Sequence, residues 1–307
     1  MECAQADYQV ITNEFSSGYD FESKEASKTA PLRVVTFNIW LSGARVSNGL
    51  VKIAKQISQL NPDIVALQEI ESDSVISNLT KLLGKPWTGV GHTGRNYTDT
   101  GILTRHKILQ DQLVQVSCGN GVPIVVDVQG SSFTVNFFSM HLNYTSYGPY
   151  AAQNKMVTQA EQIYKGEKTA DGKGRVSNMQ ELLDNSEFQA FLQDAEKKGH
   201  PLFVAGDFNC PSHQDWTENT KHLHGDWVFE WPVTKLLTGI GMVDSFRQLH
   251  PNVLEMPGYT WSTVQNRVDL SGTTPSQNPR PTRLYLLQRQ PKQHKASEVF
   301  HIFGQCC

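Results

Sequence analysis

The stretch Leu202-Phe203-Val204-Ala205-Gly206-Asp207-Phe208-Asn209 decides how this chain folds. Its first four residues are apolar and read as a buried strand. The strand runs into a glycine and then two short polar side chains, Asp207 and Asn209, either side of a phenylalanine. Ligand sites in α/β sheets lie beyond the carboxyl ends of strands. Taken alone, Asp-Phe-Asn is equally an Asx turn. Three other segments share its form, however. Residues 33–39 (RVVTFNI) are a β-branched and aromatic run that carries Asn38 near its end. Residues 64–68 (IVALQ) lead into Glu69, and a strand over 133–139 ends just before His141.

Between these segments the pattern switches to helical spacing. Leu50, Ile53, Ala54, Ile57 and Leu60 recur on one helical face, and Asn61-Pro62-Asp63 stops it. Strand, helix and strand with short links form a right-handed parallel βαβ unit. A second helix follows with Asp73 as N-cap, an apolar face of Val75, Ile76, Leu79, Leu82 and Leu83, and Gly84 past its end. Residues 101–104, 112–117, 122–128 and 133–139 read as strands, the last two joined in a hairpin with its tip at Gln129–Ser132. Helices are expected near 152–164 and 186–197, the latter opened by a Ser186/Gln189 capping box. A polar loop over 165–176 separates them. A helix near 232–238 and a short strand near 242–246 complete the interpretable part. With no internal repeat and no dividing linker, the mixture implies one sandwich of sheets with helices outside.

The chain has 307 residues, 38% hydrophobic and 19% charged, with a net charge of −3. That composition excludes collagen-like, coiled-coil and wholly disordered chains. The near-neutral charge leans away from sequence-independent binding of long nucleic acid, although a local basic cleft can hide in a neutral total. No apolar run of the length needed to span a membrane occurs. Five cysteines (Cys3, Cys118, Cys210, Cys306, Cys307) with no CxxC spacing argue against a zinc cluster and leave open a single bridge such as Cys118–Cys210. Three glycosylation sequons begin at Asn78, Asn96 and Asn143 and matter only in a secreted protein. Residues 1–30 are polar and lack the features of a signal peptide. The sequence leaves compartment and oligomeric state open, since its first residues need not be the protein's own start.

The gathered residues suit phosphate-ester cleavage. Mg²⁺ prefers one or two carboxylates with water and substrate phosphate; Glu69 offers a carboxylate and Asn38 an amide oxygen. Asp207 and Asn209 can orient or deprotonate an attacking water. His141 can donate to a phosphate oxygen as charge develops. Each of these residues taken singly is more often a turn, a cap or a satisfied structural group; the ordered set of segments is what carries the reading. Arg95, Arg105, Lys168, Lys173 and Arg175 are candidate phosphate-facing cations, each weighed against an ordinary solvated loop.

Phe37-Asn38-Ile39, Leu67-Gln68-Glu69, Ser139-Met140-His141-Leu142-Asn143 and Gly206-Asp207-Phe208-Asn209 together resemble the endonuclease/exonuclease/phosphatase superfamily, the deoxyribonuclease-I-like fold. Gly101–Arg105, Asp244–Arg247 and Tyr259–Ser262 match as supporting pieces, so the resemblance covers residues 32–262. It implies an α/β (α+β) four-layer sandwich, two mixed β-sheets packed face to face with helices outside. It also implies Mg²⁺ dependence, with Mn²⁺ as a substitute. Asn38 and Glu69 would then serve the metal, Asp207 and Asn209 the nucleophilic water, and His141 the scissile phosphate. The substrate would be a phosphoester: a small molecule, a lipid headgroup or a nucleic acid. Residues 141–150 (HLNYTSYGPY) resemble a loop of an uncharacterised branch.

The family's two closing motifs, Asp-Arg-Ile-Asp-Tyr and Ser-Asp-His, do not occur in this sequence. Residues 280–289 read RPTRLYLLQR, and His301 stands in an apolar context without Ser-Asp before it. The codons of residues 280–289, read one nucleotide later, can encode Asp-Arg-Leu-Asp-Tyr-Ile-Tyr-Tyr-Lys-Gly. The expectation is a frame shift between Thr263 and Arg280, from splicing, mutation or a gene-model error. The domain plan is then a polar, disordered N-terminal segment 1–30, the folded domain 31–263 and an aberrant tail 264–307, with the closing strands missing or aberrant. The chain as written is expected to be weakly active or inactive and poorly stable. The competing expectation is a catalytically inactive relative that binds a phosphoester or a partner.

Overall fold

The computed structural model describes residues 10–11, 32–93, 98–128, 131–260, 284–289 and 299–305. In chain order the elements are β1 (Val10–Ile11), β2 (Leu32–Asn38), α1 (Gly49–Leu60), β3 (Ile64–Ile70), α2 (Asp73–Leu83), β4 (Thr88–Gly91) and β5 (Asp99–Thr104). Then come β6 (Lys107–Ile108), β7 (Val114–Val116), β8 (Gly119–Val128), β9 (Ser131–His141), α3 (Gly148–Gln153), α4 (Ala160–Tyr164), α5 (Arg175–Asp184) and α6 (Ser186–Lys197). The chain continues through β10 (Leu202–Asp207), α7 (Pro232–Gly239), β11 (Val243–Asp244), α8 (Ser245–Leu249), β12 (Leu284–Arg289) and β13 (Val299–Gln305).

Two mixed sheets result. One has the order β1-β13-β2-β3-β5-β4 and the other β11-β12-β10-β9-β8-β6, with β7 also on β8. The βαβ unit is present as the parallel pair β2–β3, and β9 and β10 also run parallel. Side chains alternate between an inner and an outer apolar layer. Val34, Ala66 and Ile102 of the first sheet face Ile124, Phe137 and Ala205 of the second. The other face of the first sheet (Val35, Phe37, Val65, Leu67) packs on Ile53 and Ile57 of α1 and Leu79 of α2. The other face of the second packs Phe138, Met140 and Val204 on α5 and α6. Buried on both faces, these strands read as continuous apolar runs, and the layers are helix, sheet, sheet, helix.

Several local expectations shift. Ser72, not Asp73, precedes α2 as N-cap. Asn185 caps α6 by accepting from Phe188 N–H at 2.9 Å, in place of the Ser186 box. The helical stretch expected over 152–164 is two short helices, and α5 begins at Arg175 where a loop was expected. Residues 245–249 are helical, because Asp244 caps them by accepting from Arg247 N–H at 3.2 Å. Cys118 and Cys210 are both buried and are not joined by a disulfide, so the bridge left open is not made. The expectation of missing or aberrant closing strands falls on residues 264–307, most of which lie outside the described set; β12 and β13 are the described part. Among the described residues no helix is long and apolar enough to cross a membrane.

Candidate functional site

Four strands deliver polar residues to one end of the sandwich. β2 ends on Asn38, β3 carries Glu69 near its end, β9 ends on His141 and β10 ends on Asp207. His141 and Asp207 are register partners. Gly206 is fixed by that pairing: at φ 153° its missing Cβ would lie 2.0 Å from the carbonyl oxygen of Met140. Below the polar end, Gln68 Nε2 donates to Ser139 Oγ at 3.2 Å and Ser139 Oγ donates to Leu67 O at 2.9 Å, tying the sheets together.

Asn38 is the hub. Its Nδ2 donates to Glu69 Oε1 at 2.8 Å and across the sheet interface to Asp207 Oδ2 at 3.1 Å. Its Oδ1 accepts from Trp40 N–H at 3.0 Å, which fixes the orientation of the amide. The structure thus brings Asn38 to the carboxylates by its nitrogen, with its oxygen on the main chain. Glu69 Oε2 accepts from Leu41 N–H at 2.9 Å. Asp207 Oδ1 accepts from Asn209 N–H at 3.0 Å, and Asn209 Nδ2 donates to Leu142 O at 2.9 Å. Asn38, Asp207 and Asn209 are buried, with 1%, 3% and 6% of their surface exposed. Asn209's side chain therefore faces the main chain after His141, and its N–H faces Asp207.

The sequence reading missed Asp99. Its Oδ1 lies 2.9 Å from His141 Nδ1. Asp99 is the first residue of β5, which runs antiparallel to β3, so it arrives at the end where β3 finishes. That is a topological fact, with no motif around Asp99 to announce it. Burial opposes charge on His141, but the hydrogen bond to Asp99 and the charges of Asp99, Asp207 and Glu69 outweigh it, and its pKa rises to about 9. His141 is therefore an imidazolium at neutral pH, a donor set among the carboxylates of Asp99, Asp207 and Glu69.

Of the candidate cations, Arg105 and Arg175 are paired with carboxylates of their own. Arg105 lies at the far end of β5, where its Nη2 meets Asp63 Oδ1 at 2.8 Å. Arg175 is fully buried against Glu167 at 2.6 Å. It also donates to the carbonyls of Asn143, Thr145 and Ser146, so it shapes the loop after His141 from beneath. Lys168 is exposed, Lys173 is exposed beside Asp171, and Arg95 lies outside the described residues.

The fit of a divalent cation is judged on these donors. Among the described residues no group of three or more His, Cys, Asp and Glu side chains forms a cage. Mg²⁺ does not need one: it takes one or two carboxylates and keeps several waters. Glu69 and Asp207 are adjacent hard-oxygen groups whose partners here are neutral amides and N–H groups, which suits such an ion.

A family model described as the Endonuclease/Exonuclease/phosphatase family matches residues 35–285. An uncharacterised protein of Caenorhabditis elegans is 47% identical over 242 residues, covering 79% of this chain and 74% of that one. Among solved structures, sphingomyelinase C from Streptomyces griseocarneus aligns at TM-score 0.49 and 16% identity, covering 87% of each chain. A 3′ phosphatase from Neisseria, bound to a product DNA hairpin, aligns at 0.48 and 17%, covering 83% of this chain and 85% of that one.

Proposed function

The chain belongs to the endonuclease/exonuclease/phosphatase family, whose members are phosphoesterases, and from that premise we propose that the Asn38–Glu69–Asp207 cluster is a Mg²⁺-dependent phosphoester-hydrolysing centre. The observation that carries this is the amide bridge: one buried side chain holds two carboxylates side by side across the sheet interface. In this reading Glu69 holds the metal, with Mn²⁺ as a substitute, and Asn38 keeps its carboxylate in place. A bound divalent ion would supply Lewis-acid stabilisation of phosphate charge. Asp207, fixed through both oxygens, orients the attacking water and takes its proton. Asn209 locks Asp207 and the segment after His141. His141, kept charged by Asp99, donates to the phosphate oxygen on which charge builds.

The sequence has no Ser-Asp-His motif, and this favours a second, weaker activity level: hydrolysis impaired relative to a chain that carries the motif. In this plan residues 31–263 are the catalytic domain and 264–307 the product of a shifted frame. The alternative is a relative that binds the phosphoester without cleaving it. Hydrolysis of bis(p-nitrophenyl) phosphate separates the two. Slow Mg²⁺-dependent release of nitrophenolate, lost with EDTA and in Asp207→Ala, supports the enzyme. Retention of inorganic phosphate or a phosphodiester with no turnover supports the binding relative. Sequencing the transcript across codons 262–307 tests the frame: a nucleotide sequence that cannot encode Asp-Arg-Leu-Asp-Tyr in the next frame ends that explanation.

A further inference from the structure

Glu69 occupies an unusual piece of backbone. The β3–β5 register shifts between Gln68 and Ile70, leaving Glu69 bulged, and its φ is 62°. A bulge re-aims a side chain, and a left-handed backbone at a residue other than glycine persists only where its surroundings hold it. What holds it is a second left-handed run. Trp40, Leu41, Ser42 and Gly43 have φ of 42°, 52°, 58° and 69°. Gly43 N–H closes the run on Ile39 O at 2.8 Å. The run is seated on α1, because a Cβ at Gly43 would come within 2.9 Å of Ile53 Cδ1.

The two left-handed segments interlock. Leu41 N–H reaches the Glu69 carboxylate. The Ser42 hydroxyl donates to Glu69 O at 3.5 Å and accepts from Glu71 N–H at 2.9 Å. One side chain therefore brackets the bulge from both flanks. We propose that the turn Trp40–Gly43 is a clamp that aims the Glu69 carboxylate, and that Ser42 is its latch, a positioning residue for divalent-cation binding. This rests on the reading of Glu69 as the metal's carboxylate. The latch acts as an outer-shell partner: it touches no substrate and fixes the peptide that carries the ligand.

The test is Mn²⁺ binding to the full chain, followed by electron paramagnetic resonance with no turnover involved. Wild type, Glu69→Gln, Ser42→Ala and Ser42→Gly are compared, and thermal melting monitors the fold. Ser42→Ala and Ser42→Gly are each expected to weaken Mn²⁺ binding by about tenfold, the size of an outer-shell loss. Exchange of the Glu71 amide should rise in both. Glycine relaxes the left-handed backbone at position 42, so a purely structural role predicts undiminished Mn²⁺ binding in that variant. Wild-type affinity in Ser42→Gly overturns the latch, whatever Ser42→Ala does to folding. Wild-type affinity in Glu69→Gln, or no Mn²⁺ binding by the wild-type chain, instead overturns the metal reading beneath it.

Discussion

Asp63 and Asp207 stand at opposite ends of the same two-sheet frame and are held in opposite ways. Asp63 precedes β3 at the end where β2 and β3 begin. Arg105 meets its Oδ1 at 2.8 Å, His106 Nε2 lies 3.4 Å from the same oxygen, and Arg33 N–H donates to Oδ2 at 2.7 Å. Burial alone would raise its pKa, but the nearby His106 ring, the bond from Arg33 N–H and the charge and bond of Arg105 hold it below the usual carboxylate range. Asp207 and Glu69 meet the shared amide of Asn38. Among the described residues two further carboxylates are paired with arginine, Glu167 with Arg175 and Asp215 with Arg247, each at 2.6 Å. A carboxylate already matched to arginine has its charge balanced and anchors loops. Carboxylates bridged by an amide retain their negative potential, and a cation or a polarised water can meet it.

The largest effects should separate these two kinds of site. Asp207→Ala should lower the residual hydrolysis by about 10³-fold, the range for loss of a general base, with melting little changed. A variant that keeps its rate would place Asp207 with the anchors. Arg175→Ala should do the reverse. It strands Glu167, whose pKa burial already raises against the pull of Arg175, and releases three carbonyls. Loss of one partner from a buried pair costs about 4 kcal/mol, read as a fall in the urea midpoint. Arg175→Lys should recover only part, because an ammonium cannot reproduce the fork. Undiminished stability would break the comparison.

The sequence carried most of the central frame. Both layers of apolar strand residues, the βαβ unit and the strand-end positions of Asn38, Glu69, His141 and Asp207 were legible, because buried parallel strands and their polar ends leave a local pattern. What was not legible depended on pairing partners. Asp99 reaches the site only because β5 runs antiparallel. Arg105 and Arg175 read as free cations because no local pattern reveals the carboxylate that will neutralise each one. The orientation of Asn38 was hidden too, since it is set by Trp40 N–H in a left-handed turn with no glycine until Gly43. Capping shifted for a related reason: Asn185 and Ser186 are both good caps, and the loop geometry selects between them.

The amide-bridged end should also respond to pH in its own way. His141 is charged in the folded chain up to about pH 9, against about 6.5 when unfolded. The folded state therefore binds the extra proton between these values. Its contribution is fully present below about 6.5 and is lost as pH rises through about 9, a change on the order of 3 kcal/mol. Urea melts in EDTA across that range, with the His141 ring followed by NMR, would show it. Asp99→Asn should drop the titration toward the ordinary value and flatten the stability profile. An unshifted ring in that variant would mean the surrounding carboxylates hold the proton without Asp99.

The smallest effect is the most direct contrast. Asp63→Asn keeps the shape of the side chain and removes the charge, leaving Arg105 without its ion-pair partner. Arg105 is 28% exposed and Asp63 14%, so solvent screens part of the loss. Hydrogen bonds to charged groups are worth about 2 kcal/mol in such settings, and destabilisation of that size is expected in urea. Mn²⁺ binding should not change, because Asp63 and Glu69 are separated by six residues of strand, about 20 Å. The rate per folded molecule should hold as well. Glu69→Gln is the mirror: the same exchange of charge for amide, expected to abolish Mn²⁺ binding while costing little stability. If both substitutions destabilise equally and neither affects Mn²⁺, the distinction between arginine-matched and amide-bridged carboxylates has no functional content here. If they part as described, the kind of partner each carboxylate has, more than its depth of burial, separates anchor from site.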